Sequence, residues 1–220
     1  MPFPMVHLCI ADEMLRRGYE AQDPAQFLLG AVAPDSVHFR RGYEAPMKEK
    51  SHLWSGCGPR WGVTLDSDRW FQNALTFWQA HRAGAERDFA AGYCVHVLTD
   101  WLNDARIWKP FRMKNESCMD SYGADRYHEE ARMTDYALYL KSPRRREIFE
   151  ALKSARGCDL DGLVLAEDIA RMQDSLLREQ FVNRTAGNPA DFTCCTLQKV
   201  EALIEEASRE IPGYLVAGTP

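Results

Sequence analysis

No apolar run in this chain approaches the roughly 20 residues that a helix needs to cross a bilayer. Strand-like alternation of apolar and polar residues is also missing. There is no basic excess: 27 Lys and Arg stand against 32 Asp and Glu, a net charge of −5. That balance disfavours a stable nucleic-acid complex, which wants a basic footprint to displace phosphate counterions. The seven cysteines are an odd number with no Cys-x-x-Cys, so neither a disulfide framework nor a thiolate zinc knot is suggested. The opening MPFPMVHLCIADEMLRRG has no basic n-region and carries acids where a signal peptide is apolar. With the cysteine usage, this leads to an expected cytoplasmic location. At 45% hydrophobic and 27% charged, the 220 residues read as one globular domain over 1–220.

What recurs is the helical period. Met5, Leu8, Cys9 and Met14 precede Gly18, and an apolar stretch over 27–32 runs into Pro34-Asp35. Ser67-Asp68 opens a segment whose broad apolar face holds Trp70, Phe71, Ala74, Leu75, Phe77 and Trp78, which predicts an amphipathic helix. A segment over about 86–107 is apolar nearly all round in its middle, as expected at the centre of a bundle. Further helices are predicted over 122–140, 144–155, 164–182 and 190–210, with Pro143 near a first turn and Gly157 and Gly187 in the gaps. The fold class is all-α, a multi-helix bundle. Residues 40–64 break the period, with Pro46, Pro59 and four glycines, and read as a long functional loop.

Histidine is scarce, at six residues, so each can be weighed. Within GYCVHVLTDW, His96 and Asp100 are four apart and share one face of the central helix. Two readings are open: a hydrogen-bonded pair in the core, or two adjacent metal ligands. His7 lies on the buried-looking side of the first helix, Asp35 ends an apolar run, and His52 sits in the aromatic loop. Such nitrogen and oxygen donors suit zinc or another first-row divalent ion better than magnesium or calcium. His38 and Asp104 are further candidates, as ligands or as their hydrogen-bonding supports. His128 and the acids Asp125, Glu129, Glu130 and Asp135 form either a second site or a solvated acidic face. His81 suits a helix carboxyl end, and Cys194 and Cys195 are expected inside a helix. Trp54, Trp61, Trp70 and Trp78 line a cleft or fill the core.

The order of His7, LGAVAPDSVHF with Asp35, Lys50-Ser51-His52 and GYCVHVLTDW resembles the bacterial zinc-dependent phospholipase C family, which is related to the fungal single-strand-specific nucleases. The resemblance spans about residues 5–105. It implies an all-helical fold with metals in a cleft and His7, Asp35, His52, His96 and Asp100 as ligands. It also implies an Asp100 shared between two metals and an Asp35 that holds or deprotonates the attacking water, which makes these two the catalytic candidates. Secreted members begin with a metal-binding tryptophan, whereas this sequence begins Met1-Pro2-Phe3. Three-zinc members place a histidine six residues after the shared aspartate, then H-x-x-x-E; here Arg106 fills the first position and His128 is followed by Arg132.

A two-zinc site is therefore expected, with Arg106 either a surface residue or a grip for a phosphate oxygen. The implied activity is hydrolysis of a small phosphate ester, a phosphodiester or lipid-like substrate, by a metal-activated water. The alternative is a metal-binding or structural helical protein whose reaction is lost. No His-Asp dipeptide is present, and Glu49–His52 is the lone Glu-x-x-His, so the other phosphohydrolase type and a di-iron bundle are disfavoured.

Overall fold

The computed structural model describes residues 3–115, 121–182, 184 and 192–217. Among them the chain is all-α, with only an isolated bridge between Leu160 and Val164. Helix α1 (Pro4–Arg16) begins with proline in its first turn, where the missing N–H costs nothing. Helix α2 (Pro24–Gly30) is capped by Asp23, whose carboxylate accepts from the amides of Ala25 and Gln26 at 3.0 and 3.1 Å. A 3₁₀ turn (Ala33–Phe39) and the short helix α3 (Ala45–Ser51) follow. The chain continues through α4 (Ser67–His81), α5 (Arg87–Asn103), a π-helical turn (Asp104–Trp108) and α6 (Lys109–Lys114). Helices α7 (Ser121–Lys141), α8 (Arg145–Ser154), α9 (Ala166–Arg178) and α10 (Leu197–Ala217) complete it.

Helix α5 is the axis. Phe89, Ala90, Ala91, Tyr93, Cys94, Val95, Val97, Leu98 and Leu102 are all buried, so every face of the helix meets protein. It packs against α1, α2, α4 and α10, and this explains why the sequence there is apolar all round. The crossing with α2 is closest. A Cβ on Gly92 would lie 2.0 Å from the carbonyl oxygen of Phe27, and one on Gly30 would lie 2.1 Å from that of Phe89. Only glycine lets the two backbones touch, and that contact brings the carbonyl of Ala31 against the middle of α5.

Several expectations change. Residues 40–64 hold a helix after all: Pro46 sits in the first turn of α3 and starts the element it was taken to break. Helix α3 ends in a Schellman turn, with Trp54 N–H on Glu49 O and Leu53 N–H on Lys50 O at 2.8 and 3.0 Å. Leu53 occupies the left-handed position at φ 54°, where glycine is usual, so backbone strain lies beside His52. Helix α9 starts after 164 because Val164 is used in the bridge to Leu160, and it ends at Arg178 rather than 182. Helix α10 begins at Leu197 and runs through Pro212, past the expected end at 210. The expected start at 190 and Gly187 lie outside the described residues. Cys194 and Cys195 precede α10, where their amides and that of Thr193 donate to the Glu130 carboxylate at 2.8–3.1 Å. Burial pushes that carboxyl up, but these donors outweigh it and hold it down at about 2.

Replacing Gly92 with alanine should lower stability by about 2–3 kcal/mol in urea denaturation, because backbone cannot yield as a side chain would. Gly213→Ala in α10, where nothing lies within 4 Å of the added carbon, should instead raise it by up to about 1 kcal/mol.

Candidate metal centre

Five side chains from four elements meet in the interior. His7 comes from α1, Asp35 from the 3₁₀ turn, His52 from the residue capping α3, and His96 and Asp100 from α5. Two groups of three can each hold a cation: His7, Asp35 and His96, and His52, His96 and Asp100, with donor atoms all within 4.8 Å of one another in each group. The five sequence candidates are thus brought together. The two groups share His96 rather than Asp100, while the two oxygens of Asp100 face different imidazoles. Its Oδ1 lies 3.7 Å from Nε2 of His7, and its Oδ2 lies 3.5 and 3.7 Å from Nε2 of His52 and His96.

Backbone carbonyls fix the two central rings. Nδ1 of His96 lies 2.9 Å from the carbonyl oxygen of Ala31, and Nδ1 of His52 lies 3.0 Å from that of Lys48. A carbonyl only accepts, so Nδ1 of His96 carries the hydrogen and its Nε2 presents a lone pair. Nδ1 of His52 also meets the Ser51 hydroxyl at 2.9 Å, which serves either tautomer of that ring. The two Nε2 atoms face each other at 3.2 Å. With the His52 hydrogen on Nδ1 the two atoms meet lone pair to lone pair, a repulsion that a cation beside them relieves. The ring of His7 stacks on His96 at 3.8 Å, and neither of its nitrogens has a hydrogen-bond partner among the described residues; Asp100 Oδ1 has none either. Buried polar atoms left unpaired cost free energy, and a cation is the partner this donor set suits. Trp70 Nε1 donates to the His52 carbonyl at 2.8 Å, and Trp61 meets the ring of His52 edge-on at 4.8 Å.

The electrostatics agree. Burial pushes His52 down to about 3 and His96 to about 4, and His7 falls well below the ordinary histidine value, so the three imidazoles are neutral donors at pH 7. Burial and the nearby charge of Asp35 push Asp100 well above the usual carboxylate range. Asp35 behaves oppositely: burial raises it, but Lys48, His52 and His96 outweigh burial and hold it well below that range. The two carboxylates also differ in access, since the Asp35 side chain is 24% exposed and that of Asp100 1%.

No protein-family model, curated protein or solved structure matches this chain.

The weaker candidates belong to neither metal-capable group. His38 stands 3.7 Å from Asp35 Oδ1 but accepts from Lys48 Nζ at 3.1 Å and packs on Tyr43. Asp104 does not extend the His96–Asp100 face into the cluster. It begins the π-helical turn and takes a hydrogen bond from Thr64, whose hydroxyl oxygen accepts from Trp54 Nε1 at 3.1 Å, so it fastens the loop end. Arg106 does not reach the site; its guanidinium grips Glu206 of α10 at 2.6–2.8 Å on the surface. His128 lies against Trp108 and Tyr127 and lines the mouth of a cavity of about 190 Å³ shared with Asp35, His38 and Lys48. His81 pairs with Asp161 at 2.9 Å, away from the cluster. Trp54 and Trp78 are core residues, whereas Trp61 meets the His52 ring and the buried Trp70 holds the His52 carbonyl. A larger groove of about 360 Å³ between α1, α7 and α10 is lined by ion pairs such as Asp12–Arg144 and Lys141–Glu201, and neither metal-capable group lies there.

One residue of consequence escaped the sequence reading and another was misplaced by it. Lys48 orients His52 through its carbonyl and places its ammonium 3.3 Å from Asp35 Oδ1; its exposed-looking run, MKEK, carried no signal. Asp135 belongs to neither a second site nor a solvated face. It is buried and accepts from Val6 N–H at 3.2 Å, anchoring the start of the helix that carries His7. Burial pushes its carboxyl up to about 8 although the Val6 and Met5 amides pull it down. The folded chain therefore keeps a proton there that the unfolded chain releases near pH ~4. Relative to Asp135→Asn, wild-type stability should fall as pH rises from about 4 to about 8, by up to ~1.4 kcal/mol per unit. Parallel denaturation curves of the two proteins across that range check it, and a constant difference would contradict it.

Proposed function

We propose that this protein is a metal-dependent hydrolase of phosphate esters whose two cations, zinc or another first-row divalent ion, are held by His7, Asp35, His52, His96 and Asp100. The observation that carries the reading is the convergence of these five side chains in the interior, with both His7 nitrogens and Asp100 Oδ1 lacking a hydrogen-bond partner among the described residues. The resemblance of the same residues, in the same order, to the zinc-dependent phospholipase C pattern supports it. A bound cation pair of this type lowers the pKa of a water and stabilises the entering and leaving oxygens at phosphorus.

The chain's own residues have separate tasks. Ala31 and Lys48 hold the His96 and His52 rings with Nε2 aimed inward. Asp100, sealed from solvent, turns its two oxygens to different imidazoles and serves as a ligand to both sides. Asp35 is the carboxylate of the pair that reaches the cavity, so it orients the attacking water and accepts its proton at a carboxylate oxygen. Phe3, Val32, Phe39 and Met172 give that cavity an apolar wall that limits access by bulk water.

Elemental analysis of the purified protein should find about two divalent ions per chain, fewer in His96→Ala and an unchanged number in His81→Ala. The loaded wild type should hydrolyse p-nitrophenyl phosphate or bis(p-nitrophenyl) phosphate, and Asp35→Asn should lower kcat by about 100-fold or more. Bound metal with no turnover of any phosphoester would leave a metal-binding protein without this reaction. Absence of metal from the folded protein would end the reading.

A further inference from the structure

We propose that Lys48 anchors the substrate's phosphoryl group and makes the centre selective for a terminal, dianionic phosphate; the inference rests on the hydrolase reading and names its substrate class. Lys48 is the cationic side chain at the cavity that opens on Asp35. Its Nζ stands 3.3 Å from Asp35 Oδ1 and donates to His38 Nε2 at 3.1 Å, with the Trp61 ring 5.3 Å away. Its side chain is mostly buried, so the ammonium is held at the cavity rather than sweeping through solvent. The geometry is built into α3, since the same residue's carbonyl orients His52. One short helix therefore fixes both a candidate ligand and a positive charge beside it.

Arg106, which the sequence offered as a grip for a phosphate oxygen, is turned away and neutralised by Glu206, so it supplies no charge here. Lys48 takes that role from a different element. A carboxylate that ligates a cation shares its charge with that cation, which frees the neighbouring ammonium for a third party. Two divalent ions exceed the charge of Asp35 and Asp100 by about two units, and Lys48 raises the excess to about three. That matches an attacking hydroxide together with a phosphate dianion. Without Lys48 the match would be to a monoanionic diester. The cavity, about 190 Å³, is below the roughly 300–1,000 Å³ of common small-molecule pockets, which suits a compact phosphate end group.

The test uses zinc-loaded wild type, Lys48→Met and Lys48→Arg, with metal content measured in each. Inorganic phosphate affinity is read by calorimetry. Hydrolysis is read at pH 7.5 on p-nitrophenyl phosphate, a dianion well above its second pKa near ~6, and on bis(p-nitrophenyl) phosphate, a monoanion. Lys48→Met should keep its metal, bind phosphate about 10- to 100-fold more weakly and raise KM for the monoester by a similar factor. Any change at Asp35 acts on both esters alike, so the diester kcat/KM should fall at least about tenfold less than that of the monoester, and Lys48→Arg should recover most of the loss. Phosphate affinity within about twofold of wild type, or equal losses on both esters, would overturn the proposal. So would loss of metal from both variants, which would make Lys48 a support of the centre alone. Failure of the underlying reading shows separately, as wild type without metal or without turnover of either ester, and overturns both. If Lys48→Met does not fold, the same measurements on Lys48→Gln decide.

Discussion

Two imidazole Nε2 atoms face each other at 3.2 Å inside an apolar bundle, a polar contact that burial makes costly unless every atom of it is partnered. The His96 ring donates its hydrogen to the Ala31 carbonyl, and Nδ1 of His52 is held by the Lys48 carbonyl and the Ser51 hydroxyl, so the direction in which each Nε2 points is fixed. Asp100, desolvated beside them, adds a carboxylate whose ionisation burial opposes. The helices around α5 hold this unfavourable set in place, and their packing energy is the counterweight. A cation converts the same set from a cost into a binding site, because every feature that penalises the empty cluster favours a bound positive charge.

The close α2–α5 crossing is what makes the cluster possible. Glycines at 30 and 92 let the backbones meet, and the Ala31 carbonyl then reaches His96. Beyond α2 the chain enters the 3₁₀ turn, which delivers Asp35 to the other side of the same ring. Helix α3 supplies the third wall, and its tight carboxyl end, strained at Leu53, turns His52 inward while Trp70 and Tyr93 hold the carbonyls of His52 and Ser51. Rigidity of this kind keeps ligand positions fixed ahead of binding.

Access is graded across the cluster. Asp100 and the three histidines are sealed, and Asp35 alone of the five opens toward the cavity that Lys48 and His38 border. A buried holding face and a partly open working face are the division of labour that the proposed metal-assisted hydrolysis would require. The neighbouring charges follow the same gradient. Asp35 is kept ionised by Lys48 and the imidazoles, whereas Asp100, with no cation at its side among the described residues, is not.

The helical period, the buried character of α5 and the identity of all five candidate ligands were legible in the primary structure. Each rests on local pattern or on the oddity of a polar residue amid apolar neighbours, and burial enforces both. What the chain order could not convey was which way side chains point across sequence gaps. Pro46 looked like a breaker because composition does not distinguish a first turn from an interior one. Asp104 seemed to continue the ligand face, but the π-helical turn places it against Thr64. Arg106 and Lys48 exchanged importance for the same reason: a charge counts at a site only by distance, and distances between 48, 35 and 106 are set by packing, not by spacing. Sequence determined the elements and the donors. Tertiary structure decided the pairing of lone pairs, the anchoring of α1 by Asp135 and the position of the ammonium, because these depend on contacts between residues up to 129 positions apart.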